Sequence, residues 1–161
     1  MKKLLVLTTG GTLDKVYFDA LSEFQVGDAV AGSILTAMNV NFEFEVKEIC
    51  RKDSLELTDQ DREHLKAAIE SSDANYVLIT HGTDTMVDSA NYIGEQADKV
   101  IIFTGAMQPA AFSNTDAVFN IGTAVGAFSV AQPGSYIAMS GQVYPASNVF
   151  KNYDSRRFES K

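Results

Sequence analysis

Two threonine-rich turns hold the residues of this 161-residue chain best suited to chemistry: Thr8-Thr9-Gly10-Gly11-Thr12 and Thr80-His81-Gly82-Thr83-Asp84-Thr85. Paired glycines let backbone approach a ligand closely and leave N–H groups free to face an anion. No Lys-Ser/Thr follows Gly10-Gly11, so the turn is not a Walker A loop, and it does not match G-x-G-x-x-G. What remains is a hydroxyl, Thr12, beside exposed backbone donors, the combination that acyl transfer requires. Thr83-Asp84 adds a second hydroxyl and a carboxylate. A threonine hydroxyl is weakly acidic and needs a base or cation beside it, and an Asp paired with a Lys would form such a relay. A structural role is also open, in which Thr83 or Asp84 caps a helix beginning near Met86. Capping accounts for a lone Thr or Asp but not for the whole string.

The elements that must position these turns follow from apolar runs alternating with helical patterns. Lys3–Leu7, Tyr76–Thr80, Val100–Thr104 and Tyr136–Ser140 read as buried strands of a parallel sheet covered on both faces. Phe42–Ile49 alternates polar and apolar, as a strand nearer the sheet edge does. Helices are expected over Ala29–Met38, Thr58–Ile69, Val87–Ala97 and Ala117–Phe128, the second opened by an N-cap threonine with Asp61 three residues on. The alternation predicts a single α/β domain, a doubly wound (flavodoxin- or Rossmann-like), mostly parallel sheet flanked by helices. In such folds ligands bind outside the carboxyl ends of the strands, where both turns and Thr104-Gly105-Ala106-Met107 fall.

Composition narrows the function classes. A net charge of −8 argues against nucleic acid or anionic membranes as partners. One cysteine, Cys50, allows no intrachain disulfide and reads as a small core residue. The run Met1-Lys2-Lys3-Leu4-Leu5-Val6-Leu7 stops at Thr8, short of the ~7–15 apolar residues of a signal peptide, and reads as a strand. The expected setting is cytoplasmic. His81 and His64 have no metal partner at suitable spacing, and acyl transfer by a threonine hydroxyl needs no metal or organic cofactor, so none is expected.

Thr9-Gly10-Gly11-Thr12-Leu13 and Ile79-Thr80-His81-Gly82-Thr83-Asp84-Thr85-Met86 closely resemble the two signature segments of the bacterial-type L-asparaginase/glutaminase family. Thr104-Gly105-Ala106-Met107-Gln108-Pro109 resembles its third stretch, continued by Asp116 and Phe119-Asn120. The resemblance spans nearly the whole chain but only the family's N-terminal domain. It implies an amidohydrolase acting on the side-chain amide of asparagine or a related small amide acid, and a homodimer or homotetramer. Thr12 matches the nucleophile, and Thr83 and Asp84 match the Thr-Asp pair of a Thr-Lys-Asp relay. Lys151, in Val149-Phe150-Lys151, lines up with the relay lysine, although Ala146-Ser147-Asn148 replaces the usual Gly-Arg. A tyrosine from a mobile loop closes over substrate in the family. Tyr17 is the candidate, unless it only packs within its loop, and a second alignment puts Phe24 at that place. Gly11, Gly82 and Ala106 fall in the matching site segments.

The family's Ser-Gln-Asp recognition stretch is here Arg51-Lys52-Asp53. An inward lysine would repel a substrate ammonium by about 4 kcal/mol at ~4 Å and an effective dielectric near 20. An inward arginine would instead favour a second carboxylate. Pointing into solvent, the two are a charged strand end. The competing functional hypothesis is therefore an asparaginase-fold module that binds a small carboxylate with weak or no turnover. A flavodoxin-like nucleotide binder is a third, resting on fold analogy alone.

Overall fold

The computed structural model describes residues 3–161, so Met1 and Lys2 lie outside the described residues. A six-stranded sheet forms its centre, built from β1 (Lys3–Gly10), β4 (Glu43–Lys52), β5 (Tyr76–Thr80), β6 (Val100–Thr104), β7 (Gly134–Met139) and β8 (Gln142–Pro145). The order is β4-β1-β5-β6-β7-β8, parallel throughout except for the last pair. Four helices flank it: α1 (Ala31–Ala37), α2 (Asp59–Glu70), α3 (Met86–Ile93) and α4 (Ala117–Ala127). Two hairpins lie off the sheet, β2 (Lys15–Phe18) with β3 (Glu23–Val26), and β9 (Val149–Asn152) with β10 (Arg157–Ser160).

Successive residues of a strand face opposite sides, and the buried strands use both sides. Leu5, Leu7, Val77, Ile79, Ile101 and Phe103 pack with Leu65 and Ile69 of α2 and with Met86, Ala90 and Ile93 of α3. Leu4, Val6, Leu78 and Ile102 pack with Leu35 of α1 and with Ala117, Ile121 and Ala124 of α4. This is the doubly wound α/β arrangement expected from the continuous apolar runs. The strand order reverses at β1, which has β4 on one side and β5 on the other. Such a switch point opens a crevice between the loops that leave the two central strands.

Element boundaries differ from the sequence expectation where local chemistry intervenes. The third helix stops at Ile93 because Gly94 takes a φ of 65°, although the helical pattern runs on through Ala97. By contrast, α2 begins where its signal places it: Thr58 accepts from the Asp61 N–H while the Asp61 carboxylate accepts from the Thr58 N–H at 2.8 Å. The expected edge strand is an edge strand, paired only with β1, and the exposed side chains of Glu43, Glu45, Lys47 and Glu48 are spread along it. The opposite rim, β8, is four residues long and ends in Pro145. Ser140 and Gly141, both at positive φ, make the two-residue turn that folds β8 back on β7. No helix among the described residues is long and apolar enough to cross a membrane.

Candidate active site

Three loops close on one another at the switch point. Gly11, at φ 84°, presses on the second loop so tightly that a Cβ there would lie 2.5 Å from the Gly82 backbone. A Cβ on Gly82 would in turn lie 2.6 Å from the Ser54 side chain. The third loop joins through the Ala110 N–H, which donates to the Leu13 carbonyl, and the His81 N–H donates to the Thr104 carbonyl. Thr12 opens a single 3-10 turn, Thr12–Asp14, and is half-buried beside these contacts.

Lys151 reaches the second loop from β9. Its Nζ donates to Thr83 Oγ1 at 2.8 Å and to Asp84 Oδ1 at 2.7 Å. Thr83 is buried, and the Lys151 side chain is 13% exposed against 31% for Asp84. A charge-assisted pair of this kind, screened from water on most sides, holds its geometry better than a surface ion pair. Neither Thr83 nor Asp84 caps α3, whose N-cap is Thr85 with no side-chain capping bond. The loop is fixed instead through Ser54: its Oγ accepts from the Asp84 N–H, and its carbonyl accepts from the Thr85 hydroxyl at 2.7 Å.

Behind the loop lies a buried polar chain. Arg62 Nε donates to Ser89 Oγ at 2.9 Å, Ser89 Oγ lies 2.8 Å from His81 Nε2, and His81 Nδ1 lies 2.6 Å from the Gly82 carbonyl. A carbonyl only accepts, so Nδ1 carries the proton; in the neutral ring Nε2 then accepts from the serine. The His81 ring is neutral because it is fully buried. Burial depresses its pKa to about 4, and nearby Arg62 pushes the same way against the Gly82 contact. The histidine is thus a fixed donor that orients Gly82, the residue before Thr83.

The recognition stretch is tied up elsewhere. Arg51 pairs with Asp28 at 2.9 Å and with Glu48 at 3.1 Å, and the Glu48 contact above all holds its pKa above the ordinary arginine value. Lys52 pairs with Asp61 at the start of α2 at 2.8 Å, which raises its pKa in turn. None of these three partners, Asp28, Glu48 and Asp61, belongs to the Thr12 or Thr83 turn. Asp53 accepts from the Leu55 N–H and pairs with Lys15 at 3.1 Å. Desolvation opposes its ionisation, but these two donors hold its carboxyl below the ordinary range. Tyr17 is on the β2–β3 hairpin, 53% exposed, with its ring edge-on to Phe24 at 5.4 Å. Phe24 stacks in the same way on Phe112 of the third loop, which ties the hairpin to that loop.

Further residues organise the loops, Asp116 and Asn120 of the third resembling stretch first among them. Asp116 accepts from the N–H groups of Met107 and Gln108, and Asn120 donates to the Gly105 carbonyl while accepting from the Ser140 N–H. Together they shape the loop containing buried Ala106. Asp14 is buried and accepts from the Val30 N–H at 3.0 Å, and burial raises its carboxyl to about 6. Tyr153, just past β9, donates to Asp84 Oδ1 at 3.1 Å. Among the described residues no group of three or more His, Cys, Asp or Glu side chains is arranged to hold a metal ion.

Residues 3–160 match the family described as asparaginase, N-terminal. The chain belongs to the asparaginase family. It is 29% identical over 161 residues to an L-asparaginase of Thermococcus kodakarensis, a match covering 92% of this chain and 47% of the relative. It is 28% identical over 170 residues to a glutaminase-asparaginase of Acinetobacter glutaminasificans, covering 92% and 49%. The solved probable cytoplasmic L-asparaginase of Campylobacter jejuni shares the fold, with a TM-score of 0.83 at 24% identity over 99% of this chain and 52% of that one. The chain thus spans about half the length of these relatives. The family resemblance and fold class read from the sequence are both established by these matches.

Proposed function

We propose that the chain is an amidohydrolase that hydrolyses the side-chain amide of asparagine, or of a related small amide acid, through a threonine nucleophile. The observation that carries this reading is the Lys151 ammonium seated between Thr83 Oγ1 and Asp84 Oδ1 at 2.8 and 2.7 Å. Thr12 Oγ attacks the amide carbon, and backbone N–H groups of the glycine turns receive the developing oxyanion. The hydroxyl proton passes through the Thr83–Lys151–Asp84 relay to the leaving nitrogen, and ammonia departs. Water then attacks the threonyl ester, releasing the acid and restoring Thr12. The steps require no cofactor.

Gly11, Gly82 and Ala106 shape the walls of the proposed pocket, and Tyr17 is the residue of the hairpin that closes it. Arg51 and Lys52, engaged with Asp28, Glu48 and Asp61, exert no direct charge on the substrate in this reading. Recognition of an amino acid's charged groups then falls to Asp53, Asp84 and Lys15. A cytoplasmic setting and assembly into a homodimer or homotetramer belong to the same proposal. The setting is in keeping with the solved relative described as a probable cytoplasmic L-asparaginase, and the assembly rests on the family resemblance read from the sequence.

The deciding experiment measures ammonia release from asparagine, glutamine and succinamate, with Thr12→Ala as control. Release by the wild type that the substitution abolishes supports the proposal. Equal release by both proteins overturns it. Calorimetric binding of aspartate or succinate without turnover supports the binding module instead.

A further inference from the structure

Tyr153 is 63% exposed, so burial does not explain its position. Its polar contacts do. The hydroxyl donates to Asp84 Oδ1 at 3.1 Å, and the Lys151 ammonium lies 4.9 Å from the centre of its ring. One side chain thereby touches two members of the Thr83–Lys151–Asp84 group. Lys151 stands on β9, and Tyr153 is the first residue of the turn that follows the strand, two positions on. The turn is pinned as well: Asn152 Oδ1 accepts from the N–H groups of Asp154 and Ser155, and its amide donates to Glu159.

We infer that Tyr153 is a positioning residue, whose hydroxyl fixes the rotation of the Asp84 carboxylate while its ring backs the Lys151 ammonium and aims it at Thr83. A lysine stem has four flexible carbons and a head that donates in any of three directions. Thr83 and Asp84 take two of those donors, and the electron-rich ring face occupies a further side of the charge. On Asp84 both the lysine and the tyrosine bond to Oδ1, which leaves Oδ2 to a cationic group of the substrate. Without the phenol the carboxylate can turn and exchange its two oxygens. Tyr153 therefore influences recognition through Asp84 and the proton relay through Lys151. Its kinetic consequence rests on the amide-hydrolase reading; its geometry does not.

The test pairs a spectroscopic measurement with a kinetic one, using Tyr153→Phe and Tyr153→Leu. In a carbon-13 lysine-labelled chain, Lys151→Met identifies the Lys151 ε-methylene signal. A ring facing the ammonium shifts that signal upfield in the wild type and in Tyr153→Phe, and Tyr153→Leu returns it to the envelope of the other lysines. In ammonia release, Tyr153→Phe raises KM by about two- to fivefold, the worth of one hydrogen bond. Tyr153→Leu lowers kcat as well, by about fivefold, on the scale of a cation–ring contact. A Lys151 signal unshifted in the wild type, or unchanged in Tyr153→Leu, overturns the arrangement. Kinetics in Tyr153→Leu equal to wild type, with the shift lost, overturn its part in the reaction. If the wild type releases no ammonia, the amide-hydrolase reading fails, and the spectra alone decide whether Tyr153 holds the lysine.

Discussion

The corner around Thr83 and the hairpin carrying Tyr17 face the same cleft, but they are held by different forces. Thr83, His81 and Ser89 are buried, and their loop is anchored by Ser54, by the Arg62–Ser89–His81 chain and by Lys151. The hairpin exposes Val16, Tyr17, Phe18, Leu21 and Phe24 and is tied down by half-exposed or exposed contacts, Lys15–Asp53 and Phe24–Phe112. Buried, fully partnered polar groups are costly to disturb; exposed pairs contribute little and yield easily. The first region suits chemistry that needs fixed distances. The second suits a part that must open to admit a ligand.

The largest effect tests the fixed corner directly. Lys151→Met removes the cation between Thr83 and Asp84, and ammonia release falls on the order of 10²–10⁴-fold. A loss of less than about tenfold would make this corner no more demanding than the hairpin. Next in size is Ser89→Ala, which leaves His81 Nε2 and Arg62 Nε without their shared partner. The chain loses about 1–3 kcal/mol, read from the urea midpoint. The folded-state pKa of His81, about 4, lies below its ordinary 6.5. Its contribution to stability is complete above pH 6.5 and is lost as pH falls through that window toward 4.

Asp14, at the hinge of the hairpin, behaves oppositely. Burial raises its carboxyl from 3.8 to about 6, so the folded state holds the proton more tightly than the unfolded one. That contribution is complete below pH 3.8 and is lost as pH rises toward 6. Asp14→Asn abolishes this segment of the pH–stability curve and gains up to about 3 kcal/mol at pH 8, with no gain at pH 3.5. The smallest effect is Lys15→Ala, which costs under about 1 kcal/mol and becomes undetectable in high salt. A salt-insensitive loss there would show that the hairpin base is as firmly built as the corner opposite.

Legibility in the sequence followed the same divide. Thr12, Thr83-Asp84 and the buried strands are compact strings whose neighbours in sequence are also their neighbours in space. The Thr58–Asp61 capping box announced its helix for that reason. Lys151, by contrast, stands 67 residues from Asp84 and was identified through family resemblance, since spacing cannot show which lysine returns to a distant loop. The Arg62–Ser89–His81 chain leaves no sequence signal, because each member looks ordinary on its own helix or turn. The hairpins β2–β3 and β9–β10 leave none because neither lines the core with a continuous apolar run. Ser140-Gly141 was an available turn signal for β8, and Gly94 for the early end of α3. The directions of Arg51 and Lys52 depended on Asp28 and Asp61, which composition could not assign as partners.

The two rims of the central sheet have a consequence for how copies of this chain can meet. A bare strand edge is a template on which another chain can zip itself by backbone bonds. Here β4 is long, but acids and a lysine are spread along it, and β8 is short and closed by Pro145. An approaching strand would have to desolvate charged side chains at one rim and would run out of donors at the other. Fibre growth and strand exchange are disfavoured at both rims, and a lasting partnership between copies must be made face to face, through side chains on the helices and hairpins.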